Sequence, residues 1–184
     1  MKETNPEKKD YEYLRESQSN NLTEGEAGKL KLLLKSLIGS HAAYHSVISN
    51  LLKETTQGRK GELTVGPTKQ FDRTFTKLKQ SILENPAIKF PLHKLKDLTR
   101  CSMVFEDAED LLAFFNAFKS DLVQRKYKGL ELLEIKNMFK DTSEANKYAY
   151  KDVKLILGFR TLSGDLLRVE MQLILQDILS LKKN

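Results

Sequence analysis

The chain has 184 residues, 40% of them hydrophobic, enough for one domain with a real core. Lys and Arg outnumber Asp and Glu by 31 to 25, and the net charge of +6 suits phosphate-rich partners such as nucleotides or RNA. One cysteine, Cys101, excludes an internal disulfide and fits a reducing compartment. No apolar run approaches the ~18 residues of a membrane span. The N-terminus, with Glu3, Glu7 and Asp10, resembles neither a signal nor a transit peptide. The expectation is an intracellular, cytoplasmic protein without a membrane partner.

Residues 1–28 are polar, charged and aperiodic and read as a flexible arm, leaving 29–184 as a single domain. From Lys29, Leu30, Leu33, Leu34, Leu37, Ile38, Tyr44, Val47, Ile48, Leu51 and Leu52 recur every three to four residues. That spacing predicts one long helix to about Glu54, or two joined at Gly39-Ser40. His41 and His45 stand one turn apart on it, a possible metal pair. The glutamate of the zinc-protease motif and a third ligand are both missing, so a helix-surface or interface pair is expected. Residues 57–61 form a basic turn, and 69–83 a second helix closed by Asn85-Pro86.

A strand over 95–105 emerges from a loop carrying Lys89, His93, Lys94 and Lys96. Asp107 then caps a helix over 108–124 whose apolar face is Leu111, Leu112, Phe115, Phe118 and Leu122. A strand at 132–139 follows, then a hairpin of 150–157 and 166–173 about a Gly164-Asp165 turn, then a short helix at 175–183. Helices mixed with late hairpin strands predict an α+β fold. Its sheet is mixed and mostly antiparallel, flanked by helices, with an N-terminal helical segment.

Within the hairpin, Glu170 and Gln172 are two apart on a strand and share a face, with Val169, Met171 and Leu173 on the other. An unpaired carboxylate buried among aliphatics costs several kcal/mol, so Glu170 belongs at an edge, on a wet face or in a site. Asp97, where the lysine-rich loop enters its strand, is the second carboxylate. Each alone reads as a solvated or capping charge. Together they would make an oxygen-ligand Mg²⁺ site, because Mg²⁺ favours one or two carboxylates plus substrate phosphates. Cys101, in an apolar strand, reads as a buried structural thiol. Arg59-Lys60 and Lys94 with Lys96 read as solvated loops, and the acceptor motif Asn21-Leu22-Thr23 matters only if the chain is secreted.

Gly66-Pro67-Thr68-Lys69, Lys77 eight residues on, Lys96-Asp97-Leu98, Lys136-Asn137, Tyr150-Lys151-Asp152 and Glu170-Met171-Gln172 follow in an order that resembles the synthetase domain of RelA/SpoT-type alarmone synthetases. The resemblance covers roughly residues 30–180 and implies a nucleotidyltransferase-like fold. It further implies that Asp97 and Glu170 hold Mg²⁺ and that Glu170 helps activate a ribose 3′-hydroxyl. Lys69 and Lys77 would contact ATP phosphates, Tyr150 would stack on the acceptor base, Lys136 and Lys151 would line the acceptor side, and Gln172 would support Glu170. The implied reaction moves pyrophosphate from ATP to a nucleotide such as GTP, or to an RNA.

The chain departs from the family's pattern at four places. Pro67 stands where the family has an arginine, Arg73 where it has a serine, and Lys154 where it has a histidine. A second arginine is Ser102 here, with Arg100 expected to face differently. Those two arginines hold the donor adenine, so two readings follow. One is a divergent pyrophosphokinase; the other is an inactive domain that binds RNA, nucleotide or a protein assembly. DNA is not an expected partner.

Overall fold

The computed structural model describes residues 23–84, 95–140 and 151–181. Thr23 opens the first helix. Its Oγ1 accepts the Glu26 amide at 3.3 Å while Glu26 Oε2 accepts the Thr23 amide at 3.0 Å, a reciprocal capping box. The helix α1 then runs as Glu24–Thr56, through Gly39 without a break. Residues 24–28 are therefore helical rather than part of an arm; the Thr-x-x-Glu spacing was the signal. The remaining elements are β1 (Glu62–Val65), α2 (Phe71–Glu84), β2 (Thr99–Phe105), α3 (Ala108–Val123), β3 (Leu130–Asn137), β4 (Val153–Arg160), β5 (Leu166–Leu175) and α4 (Gln176–Leu181). Among the described residues no helix is long and apolar enough to cross a membrane.

The chain divides into two compact units, residues 1–38 with 70–95 and residues 39–69 with 96–184. In the first, Leu30, Leu34, Leu78 and Ile82 are buried. Phe71 and Phe75 stack at 5.5 Å, and Lys31, Lys35 and Lys79 lie over these rings.

The second unit holds the sheet, in the order β1-β2-β5-β4-β3. Only β2 and β5 pair in parallel; the other three pairs are antiparallel, so the sheet is mixed and mostly antiparallel as expected. One face is dry. Cys101, Met103, Phe105, Leu155, Leu157, Val169, Met171 and Leu173 form one buried cluster with Ile48 and Leu52 of α1 and with Leu111, Phe114, Phe118 and Leu122 of α3. The α3 face is turned from the expected one. Phe114 is buried and Leu112 is 56% exposed, because counting back from Phe118 by four and three leads to 114 and 111. Asp107 does cap α3, its Oδ1 accepting the Asp110 amide at 2.7 Å.

The basic turn after α1 is not a free cationic loop. Arg59 is bonded to Asp121 and to Tyr127 Oη, and Lys60 Nζ lies 2.8 Å from Asp110. Asp121 is held down to about 2 by the Lys126 ammonium first, then by Arg59 and Tyr127.

Candidate functional site

The second face of the sheet carries the chemistry. Alternation along β5 sends Val169, Met171 and Leu173 into the core and leaves Glu170 and Gln172 on the opposite side. Register carries that side across the other strands in two rows. One row reads Thr64, Ser102, Gln172, Lys154, Lys136, with a residue from every strand. The next reads Arg100, Glu170, Ile156, Glu134. At about 4.8 Å per strand, the first row spans roughly 19 Å.

Two features of these rows need explaining. Lys136 and Lys154 are direct cross-strand partners, and like charges directly opposite each other are destabilising. The Lys154 ammonium is 3.9 Å from buried Asp152, while Lys136 is exposed with no carboxylate in reach among the described residues. Glu170, half-buried, has its Oε1 fixed by Gln172 Nε2 at 2.6 Å, and Arg100 stands directly opposite on the parallel neighbour. Arg100 was expected to face differently from Ser102. The two are one residue apart in between, so period-two alternation puts both on this face, and the expectation is corrected.

A lysine of the segment entering β2 also reaches this face. Lys96, four residues before Arg100, is bonded to Glu134 at the far end of the second row.

Beside the start of β2 runs the segment 66–69. The Gly66 amide donates to the Arg100 carbonyl and the Lys69 amide to the Leu98 carbonyl, both at 2.8 Å. A Cβ on Gly66 would lie 3.2 Å from the Arg100 carbonyl oxygen, so any other residue would push the two segments apart by a few tenths of an ångström. Lys69 Nζ then meets Asp97 Oδ2 at 2.7 Å, both side chains largely buried. Asp97 stands two residues before β2, and Glu170 on the neighbouring β5 is level with Arg100, three residues beyond Asp97.

His41 is buried and His45 half-buried, and each ring bonds a different chain segment. His41 is buried with Nδ1 2.8 Å from Thr99 Oγ1, and His45 Nε2 donates to the Gly66 carbonyl at 2.8 Å. Burial lowers His41 to about 4, so it is neutral near pH 7. Burial, aided by the Glu170 charge, pushes Cys101 up to about 12, a protonated and inert thiol.

Other candidates are placed less fully. Lys77 is exposed on α2 in the first compact unit, and Lys151 is half-buried just before β4. Tyr150, His93 and Lys94 lie outside the described residues. Among the described residues no three His, Cys, Asp or Glu side chains gather as a metal cluster. Mg²⁺ takes one or two carboxylates and completes its shell with water and phosphate; of the two carboxylates expected for it, Asp97 is ion-paired with Lys69 and Glu170 is held by Gln172.

No family model matches the sequence, and no curated protein matches it. Among solved structures the chain is similar to small alarmone synthetase 1 from Bacillus subtilis bound to its product pppGpp. Identity is 13%, the TM-score 0.49, and the match covers 82% of this chain and 72% of that one. It is also similar to a GTP pyrophosphokinase family protein from Streptococcus pneumoniae, at 12% identity and TM-score 0.44, over 79% and 67% of the two chains. A third is the complex of the type VI effector Tas1 with its immunity protein, at 16% identity and TM-score 0.47, over 85% and 65%.

Proposed function

We propose that this chain is a divergent RelA/SpoT-like nucleotide pyrophosphokinase, moving pyrophosphate from ATP to the ribose 3′-hydroxyl of a nucleotide or RNA. The observation that carries the reading is the second sheet face, where Lys136 opposes Lys154 in register beside Glu170 and Arg100. A like-charge pair beside a fixed carboxylate is costly in water and favourable against a polyphosphate.

In the transfer, the 3′-oxygen forms a bond to the β-phosphorus of ATP, the bond from that phosphorus to the bridging α-oxygen breaks, and AMP leaves. Glu170 accepts the hydroxyl proton on the oxygen that Gln172 does not hold. Lys69, Lys136, Lys151 and Lys154 offer cations for the phosphates, and Arg100 supplies a guanidinium plane for the donor base where Pro67 and Ser102 supply none. Tyr150 is the candidate to stack on the acceptor base. Mg²⁺ would be held by Asp97 and Glu170 and would neutralise phosphate charge as it builds.

The second reading is an inactive RelA/SpoT-like domain that binds RNA, nucleotide or a protein assembly. It is favoured by Pro67, which removes one guanidinium from the donor side. Labelled ATP incubated with GTP, GDP or tRNA separates the two. Label on an acceptor, absent with Glu170→Gln, supports the enzyme; tight nucleotide or RNA binding with no transfer supports the second reading.

A further inference from the structure

His41 and His45 lie four residues apart on α1, so their rings leave one helix face about 6 Å apart. Each reaches a different chain segment. His45 Nε2 donates to the carbonyl of Gly66, which opens the segment ending in Lys69. His41 Nδ1 bonds the hydroxyl of Thr99, two residues after Asp97. The two segments are laced to each other by the Gly66 amide to Arg100, by the Lys69 amide to Leu98, and by the Lys69–Asp97 ion pair. Packing alone would be served by two leucines at these positions. What imidazole adds is a directed bond to a buried hydroxyl and to the carbonyl of a tightly approached glycine.

We propose that His41 and His45 are positioning residues, a two-point clamp by which α1 fixes the segments that carry Lys69 and Asp97. Their importance for substrate rests on the pyrophosphokinase reading above; the clamp itself does not. With His45 removed, the Gly66 carbonyl loses this partner, and among the described residues the 66–69 segment keeps its bonds to Asp97, Leu98 and Arg100. With His41 removed, the Thr99 hydroxyl is stranded in the core and the start of β2 loosens around Asp97 and Arg100.

The full-length protein tests this by amide hydrogen exchange over residues 62–69 and 96–101, with β4 and β5 as internal reference, alongside calorimetric titration with MgATP. His45→Ala should speed exchange across 66–69 at least tenfold, leave the reference strands protected, and weaken MgATP about tenfold. His45→Gln, which returns a donor near the Nε2 position, should recover most of both effects. Thr99→Val, nearly isosteric and therefore expected to fold, should loosen 96–101 in the same way; it carries the test if His45→Ala does not fold. Unchanged exchange in Thr99→Val or His45→Ala, or no recovery in His45→Gln, overturns the clamp. Faster exchange with unchanged MgATP affinity overturns the positioning role. If the wild-type protein binds no MgATP, the pyrophosphokinase reading fails while exchange still decides the clamp.

Discussion

A Cβ built on Gly61 would lie 2.6 Å from Phe105 Cε1 and 3.0 Å from Met103 Cε, on a backbone with φ of +98°. Both aromatic and thioether are fully buried, so neither can yield cheaply. Left-handed strain and overpacking add, and Gly61→Ala should cost roughly 2–4 kcal/mol, read as a lower urea midpoint at unchanged slope. His41 makes a pH-dependent contribution at the same scale. Its folded value of about 4 lies below the ~6.5 of an exposed histidine, so the unfolded chain binds the extra proton between those values. Stability from this group is complete above about pH 6.5, falls as pH drops, and is lost by about pH 4, amounting to roughly 3 kcal/mol. Urea midpoints from pH 7.5 to 4 should show that decline, and His41→Asn should flatten it. A midpoint independent of pH in the wild type would show that His41 is reached by water. The sequence placed both histidines on one helix turn, but burial and partners depend on which face of α1 meets the sheet, and an aliphatic stripe broken at 41 and 45 leaves that open.

At the scale of elements, the sheet face sets stability against binding. Replacing Lys136 by Glu turns a repulsive cross-strand pair with Lys154 into an attractive one. Lys136→Glu should therefore raise stability by ~0.5 kcal/mol while weakening polyphosphate binding at least tenfold. A variant that loses both stability and binding would mean that Lys136 packs structurally. Much at this scale was legible. The alternation of β5, the Asp107 cap and the long leucine-spaced helix follow from local rules with one dominant signal each. What escaped was set by partners distant in sequence. The four-residue strand β1 is too short for alternation to show, and it exists because β2 offers it a ladder. The site of Lys96 against Glu134 joins residues 38 apart, and no pattern in either segment announces it. Arg100 was within reach of the period-two rule, and its face followed once the strand was read residue by residue from Cys101.

For the whole molecule the question is whether a chain with a net charge of +6 handles ATP, with Arg100 proposed for the donor base, or only attracts phosphate. The two behaviours differ in salt dependence. Attraction by exposed lysines is screened over a Debye length of about 10 Å at 0.1 M salt, so purely electrostatic binding should weaken steeply toward 0.5 M. Binding that includes Arg100 stacked on adenine should keep a salt-resistant part. We expect ATP affinity to be modest, to fall several-fold between 0.05 and 0.5 M salt, and to drop about tenfold further in Arg100→Ala. Inorganic tripolyphosphate, which has no base to stack, should lose affinity with salt alone and be indifferent to Arg100→Ala apart from one lost charge. Equal responses of ATP and tripolyphosphate to Arg100→Ala would remove Arg100 from the donor pocket. With Pro67 and Ser102 already lacking the group, that outcome would leave no guanidinium for adenine and would favour the inactive binding domain over the enzyme.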